Sequence, residues 1–318
     1  MLASVQEIKE VAPIEGADNI EVVKVLGWEV VVKKGDFKPG DLCIYVEIDT
    51  IVPSIKEFDF LGKNKYRIKT VTLRGQISQG ICFPLGIFPI SGPPYVGADV
   101  TDILRIKKYE KPVPAGMGGI IKQSGLPFNI PKTDEPMIQS SPELLEKING
   151  KEVYISTKID GTSATFANKD SEYHVCSRGN SWVEDEKNVY WIISKKNKLQ
   201  EKLQNMIGNF AIQGEIAGPA IQKNPLQLKE HEFYVFNIFD IDKYQYLNYE
   251  IICNICTDLG LKMVPIERVC IFNYTMNQLI KLGKGLYPSG KQKEGIVIRT
   301  IYSPRISFKV LNNDYKED

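Results

Sequence analysis

Apolar residues recur at alternate positions along the first third of the chain, in short runs cut by glycine and proline. Ile20–Val25, Trp28–Lys33, residues 41–48 and Ile81–Pro84 read as strands of this kind. Lys38-Pro39-Gly40-Asp41 is a tight-turn sequence, and Leu73-Arg74-Gly75-Gln76-Ile77-Ser78-Gln79-Gly80 leads a polar loop into the last strand. Strands spaced so closely predict a small barrel or sandwich over residues 1–105. Glycine and proline then become dense, as in Ser91-Gly92-Pro93-Pro94 and Ala115-Gly116-Met117-Gly118-Gly119, so a linker is expected at residues 106–130.

Residues 131–318 show a different pattern. Ser141-Pro142-Glu143 reads as a helix start, with serine as N-cap, proline at the first helical position, and Leu144, Leu145 and Ile148 as the apolar side. Val189, Ile192, Ile193, Leu199, Leu203 and Ile207 fall near the helical period and predict one amphipathic helix over residues 188–207. Strands are expected at 153–157, 210–216, 233–239, 295–300 and 305–311, with helices at 249–259 and 276–282. The fold class is therefore α+β.

Length and composition narrow the functional classes. At 318 residues, 43% hydrophobic and 25% charged, the chain suits a two-domain globular protein. No apolar run approaches the ~20 residues that cross a bilayer, and the start lacks the form of a signal peptide, so an intracellular protein is expected. Forty basic residues against 39 acidic leave a formal charge of +1, so any site for a polyanion must be local. Lys195, Lys196, Lys198, Lys202 and Lys291 to Lys293 form clusters that suit either a phosphate track or solvated faces. The six cysteines show no paired metal-ligand spacing; Cys253 and Cys256 read as core thiols on a helix.

Candidate chemistry starts at Lys158-Ile159-Asp160-Gly161, just after a predicted strand. A lysine amine is a nucleophile only when deprotonated, and a partner must handle the leaving group. Asp160 can orient a hydrated metal, and Gly161 lets the backbone approach a ligand closely. Alone, the run reads first as a solvated turn after a strand. Five later elements, taken in chain order, change that: Ser177-Arg178-Gly179, Gln213-Gly214-Glu215, residues 233–240, Glu294-Gly295-Ile296-Val297 and Ser307-Phe308-Lys309.

This ordered series resembles the covalent nucleotidyltransferase superfamily, which holds the ATP-dependent DNA and RNA ligases and the mRNA capping enzymes. DNA ligases and capping enzymes typically carry an OB domain after the nucleotidyltransferase domain, whereas this chain ends nine residues after Lys309. Its β-rich leader, with Tyr45-Val46-Glu47-Ile48-Asp49 and the Arg74-Gly75-Gln76 run, is similar to the N-terminal OB-like domain of one RNA ligase branch. Ile130-Pro131-Lys132-Thr133-Asp134-Glu135 also matches that branch. The expectation is an OB-like domain at 1–105, a linker at 106–130 and a nucleotidyltransferase domain of antiparallel sheets flanked by helices at 131–318.

The resemblance implies an ATP-dependent RNA ligase joining 3′-hydroxyl and 5′-phosphate ends, with nicks in duplex RNA as one candidate substrate, and acting as a monomer. DNA ligation, GTP-dependent capping and an inactive nucleic-acid-binding relative are the alternatives. It implies Lys158 as the nucleophile that forms lysyl-AMP. Asp160, Glu215 and Glu294 would hold Mg2+ or Mn2+, directly or through water. Arg178 falls near the ribose or the substrate 5′-phosphate, and Lys309 on the α-phosphate. Phe236 or Phe239, expected on one face of a strand, would stack on adenine, with Phe236 preferred. Many relatives have a second lysine beside the one at 309, where this chain has Ser307 and Leu311; Arg305 could replace it. In the leader, Lys63, Lys65, Arg67, Lys69 and Arg74 could meet phosphates.

Overall fold

A computed structural model describes residues 1–87, 94–109 and 118–315. The fold is α+β and divides into two compact units, Met1–Lys111 with Ile138–Pro142, and Pro112–Met137 with Glu143–Tyr315.

The first unit is built on five antiparallel strands in the order Trp28–Lys33, Ile20–Val25, Ala3–Pro13, Leu42–Val46, Ile81–Pro84. Ala3–Pro13 serves two partners: residues 3–7 pair with Leu42–Val46, and residues 8–13 with Ile20–Val25. An irregularity between Ile8 and Glu10 bends the strand where it changes partner, and the sheet curls into an OB-like half-barrel. The alternation read from the sequence sets the inner face: Trp28, Val30 and Val32 are buried, while Glu29, Val31 and Lys33 between them are not. Each apolar side chain so buried contributes about 1.5–3 kcal/mol. A two-residue turn at Arg74-Gly75, both at positive φ, closes the hairpin Val71–Leu73 with Gln76–Ser78. The Arg67 guanidinium is 2.7 Å from Asp49 and lies 3.7 Å over the Tyr109 ring, which gives it a structural role.

The second unit contains a seven-stranded sheet in the order Ile121–Ser124, Asn180–Trp182, Glu172–Ser177, Thr162–Lys169, Phe210–Ala217, Glu232–Asp240, Gln245–Tyr246. A four-stranded sheet has the order Ile266–Ile271, Glu152–Thr157, Gly295–Thr300, Ser307–Leu311. One face of the large sheet, with Phe166, Val175, Ile212, Ile216, Phe233 and Val235, packs on Val189, Ile193, Leu199 and Leu203 of two helices and on Ile252 and Cys256 of a third. The opposite face carries the polar side chains of the site.

Several local expectations change. The helix expected over 188–207 is two, Val189–Lys196 and Leu199–Gln204, separated at Asn197 and at Lys198, which is left-handed at φ 51. The break lets both pieces send their apolar residues into one core, and it leaves Ile207 wholly exposed. Asn188 caps the first piece, accepting from the backbone N–H groups of Tyr190 and Trp191. The helix expected from Ser141 spans only Leu144–Ile148, with Glu143 at its N-cap and no side-chain cap bond. The preceding residues belong to the first unit, where Ser140 accepts a 3.0 Å bond from the Trp28 indole and Gln139 fills the space beside Gly27.

Within 106–130, Lys107–Lys108 pairs with Thr50–Ile51, and Ile121–Ser124 joins the large sheet beside Asn180–Trp182. The Ser91-Gly92-Pro93 and Ala115-Gly116-Met117 runs lie outside the described residues. Of the CxxC pair on the helix Tyr249–Asp258, Cys256 is buried and Cys253 half-buried, both as free thiols. In the lysine clusters Lys195 pairs with Glu184, Lys196 with Glu230 and the buried Lys293 with Glu267.

Candidate active site

The strand Glu152–Thr157 is central in its sheet, paired on both sides, and four of its residues are buried. Its end fixes Lys158. Thr157 pairs with Ile296, and the Lys158 N–H donates to the Gly295 carbonyl at 3.0 Å, which brings the start of the neighbouring strand beside the lysine. Glu294, the residue before that strand, therefore meets Lys158, with Nζ and Oε2 2.6 Å apart. Glu215 comes from the other sheet. Along Phe210–Ala217, Ile212 and Ile216 face the helical core, so Gln213 and Glu215 face the opposite way.

Lys158 is thus surrounded by carboxylates. Burial lowers its pKa, but Glu294 and Glu215, then Asp160, outweigh burial and hold it above its ordinary value. The ammonium state is favoured, and nucleophilicity waits on neutralisation of those neighbours. Asp160 is buried and accepts a 2.5 Å hydrogen bond from the Tyr315 hydroxyl. Gly161 meets a need within the chain itself. A Cβ there would collide with the Ile216 carbonyl oxygen and lie 2.9 Å from Glu215 Cγ, so the glycine admits the chain's own strand.

Among the described residues no three His, Cys, Asp or Glu side chains converge to hold a metal directly. The donor set nonetheless fits a hard divalent cation that keeps its waters: three carboxylates and one ammonium carry a formal charge of −2, all through oxygen donors.

Residues 131–137 run between the two sheets. Pro131 accepts from the Gln213 side chain at 3.0 Å, and the Thr133 and Ser163 hydroxyls are 2.6 Å apart. Asp134 pairs with Arg178 at 2.7 Å. Glu135 pairs with Arg299 at 3.3 Å and Arg305 at 2.8 Å, and Pro136 accepts from the Lys309 N–H at 2.9 Å. Arg178 is half-exposed on its ion pair, with its buried Nε–H unpartnered among the described residues. Lys309 lies across from Val297, which lies across from Ser156, so these three share the sheet face that also carries Arg299. Arg305 is tied to Glu135 and stacked 4.2 Å over Tyr246, so its charge is matched there.

Simple alternation would put Phe236 and Phe239, three residues apart, on opposite faces. A bulge changes this: Asn237 pairs with Gln213 and Val235 with Gly214, leaving Phe236 unopposed. Val235 and Ile238 then share the helical core, while Phe236 and Phe239 both lie off it. Phe239 is sealed among Ile130, Ala167 and Ala211. Phe236 is half-buried, its ring 5.5 Å from the Arg299 guanidinium. Arg299, Tyr287 and Tyr315 had no place in the sequence analysis, and Glu135 entered it only as the end of the Ile130–Glu135 run, with no role assigned.

Fold and site together define a ligase-type nucleotidyltransferase domain preceded in the chain by an OB-like unit. A family model described as an OB-fold domain matches residues 2–85, and one described as RNA ligase matches residues 151–311. The chain belongs to the RNA ligase family. It is similar over 99% of its length to solved structures of an RNA ligase from Naegleria gruberi. A mutant with ATP and Mn is 35% identical, with a TM-score of 0.91 and 98% of that chain covered. The same ligase with pyrophosphate is 36% identical, with a TM-score of 0.89 and 97% covered. Another mutant, with AMP and Mn, is 35% identical, with a TM-score of 0.90 and 97% covered. Among curated proteins there is no match.

Proposed function

We propose that the protein uses ATP to seal RNA 3′-hydroxyl and 5′-phosphate ends. Lys158, deprotonated, attacks the α-phosphorus of ATP; the N–P bond forms as the bond to pyrophosphate breaks, giving lysyl-AMP. AMP then passes to the 5′-phosphate of an RNA end, and Lys158 is released. The 3′-hydroxyl attacks that activated phosphate, and AMP departs as the phosphodiester forms. Residues 131–318 carry this chemistry.

One observation carries the reading: the ion pair of Lys158 with Glu294, set where the ends of two sheets bring Glu215 and Asp160 to the same amine. Asp160, Glu215 and Glu294 would hold a Mg2+ or Mn2+ ion through its waters. When bound, such an ion offsets charge on the departing pyrophosphate. Phe236 stacks on adenine, Arg178 contacts the ribose or the RNA 5′-phosphate, and Lys309 holds the α-phosphate. The Naegleria ligase structures with ATP and Mn, with AMP and Mn and with pyrophosphate support this assignment of ligands.

Incubation with α-labelled ATP, then denaturation, tests the first step. Covalent label is expected from ATP and not from GTP, and Lys158→Ala should lose it. The same variant should still seal RNA carrying a preformed 5′-adenylyl group. Label on Lys158→Ala would remove Lys158 as the nucleophile, and label from GTP alone would overturn the ligase reading. Matched RNA, DNA and hybrid nicks then decide the strand preference, with RNA ends expected to be sealed fastest.

A further inference from the structure

Three backbone groups of the site meet at one side chain. The Tyr287 hydroxyl donates to the Lys158 carbonyl at 2.7 Å and accepts from the N–H of Asp160 and the N–H of Glu294, each at 3.2 Å. One O–H donor and two acceptor lone pairs are all that a phenol possesses, so its hydrogen-bonding capacity is filled. The residues it joins lie 136 positions apart in the chain and include the candidate nucleophile and two of the three carboxylates around it.

The hydroxyl is itself held rigidly. Tyr287 is buried at 3% exposure in a cluster with Ile159, Ala217 and Val264, with Tyr234 and Ile266 packed against it, so residues of both sheets line the cluster that holds the ring. Its own N–H donates to the Lys291 carbonyl at 2.8 Å, and its carbonyl accepts from Gly290 at 2.9 Å. The loop is closed at its base by Lys293 N–H on the Gly285 carbonyl, and Asn312 grips both the Lys293 and Glu294 carbonyls at 2.9 Å. Packing alone would be met equally by phenylalanine. The hydroxyl adds to the Lys158–Gly295 backbone bond and the Lys158–Glu294 ion pair a tie that neither makes, joining the Lys158 carbonyl to the Asp160 and Glu294 N–H groups.

We infer that Tyr287 is a positioning residue for nucleotidyl transfer, its hydroxyl clasping the Lys158-Ile159-Asp160 turn to Glu294 so that amine and carboxylates keep their register during attack. The inference rests on the proposed lysyl-AMP chemistry for its kinetic consequence but not for the clasp itself. Loss of the hydroxyl removes its bonds to the buried Asp160 and Glu294 N–H groups and to the half-buried Lys158 carbonyl, and frees the turn to shift. Displacement by about 1 Å is enough to cost two orders of magnitude in rate. Nucleotide affinity, which depends on groups around the base and phosphates, should stay near its original value, so the loss belongs to kcat and not to KM.

Tyr287→Phe in the full chain tests this, with Tyr234→Phe as the control; Tyr234 gives its hydroxyl to Glu232 and packs in the same cluster. Expected for Tyr287→Phe are at least tenfold faster amide exchange at Asp160 and Glu294, and single-turnover AMP transfer from ATP slowed at least tenfold with KM within about twofold. Tyr234→Phe should change neither. Unchanged exchange at the two amides overturns the clasp, whatever the activity. Faster exchange with an unchanged rate, or an equal loss of rate in both variants, overturns the positioning role. Wild-type protein that takes no AMP at all overturns the lysyl-AMP chemistry and the kinetic role resting on it, while exchange still decides the clasp.

Discussion

Adding one methyl group at Gly161 should damage both the fold and the chemistry. The Cβ of alanine would stand 2.9 Å from Glu215 Cγ, 3.0 Å from the Ile216 carbonyl carbon and closer still to its oxygen. Ile216 cannot retreat, because it is paired with Thr162 on one side and Phe233 on the other. The Lys158-to-Gly161 turn must move instead, by about 1 Å to restore ordinary contact. Overpacking of this kind costs about 1–3 kcal/mol, and at about 2 kcal/mol a unit of this size melts roughly 4–8 °C lower. The same shift carries Lys158 off Glu294, so AMP transfer should slow by about 100-fold. Gly86→Ala is the control, since a Cβ there meets nothing within 4 Å. Calorimetry of both variants and single-turnover adenylylation of Gly161→Ala are the assays. A Gly161→Ala protein that melts and reacts like wild type would refute the argument that this glycine exists for the approach to Ile216.

Charge sets two further outcomes. Glu294, Glu215 and Asp160 raise the Lys158 pKa, so without a divalent cation AMP transfer should climb as pH rises, and Mg2+ or Mn2+ should move that rise to lower pH; rates across pH at two metal concentrations that share one midpoint would contradict this. As a raised lysine, Lys158 keeps its contribution to stability throughout the range below 10.5, so melting temperature should not track the kinetic profile. Glu135→Gln leaves Arg299, 4% exposed, without its carboxylate and should destabilise by about 3–5 kcal/mol at pH 7. Arg299 and Arg305 hold the Glu135 pKa below its ordinary 4.5 against burial, so the wild type's advantage is full above 4.5 and fades as pH falls below it; thermal melts of both proteins between pH 7 and 3 check the sign.

The elements legible in the sequence are those whose cause is local. Trp28–Lys33 and Gly295–Thr300 form as expected because their cues, alternation in the first and a short apolar run in the second, act within a few positions. The split of the 188–207 helix was not legible, since each half keeps helical spacing and only the shared core demands the left-handed Lys198. The Phe236 bulge is similar: strand Glu232–Asp240 reads as regular until its pairing with Phe210–Ala217 skips one residue.

By itself, the sequence determined part of the strands and turns, the α+β class and the row of motifs from Lys158 to Lys309, because these depend on local patterning and residue chemistry; strands such as Thr162–Lys169 and Glu172–Ser177 emerged only in the fold. Tertiary structure alone decided which charges meet. Lys158 and Glu294 share an ion pair, Glu135 sits between Arg299 and Arg305, and Tyr287 clasps the backbones of Lys158, Asp160 and Glu294. Apart from Tyr287 and Glu294, seven positions apart, the partners in these contacts lie more than 120 positions apart, where no periodicity connects them. Sheet register brings them within bonding distance, and burial makes each such bond matter.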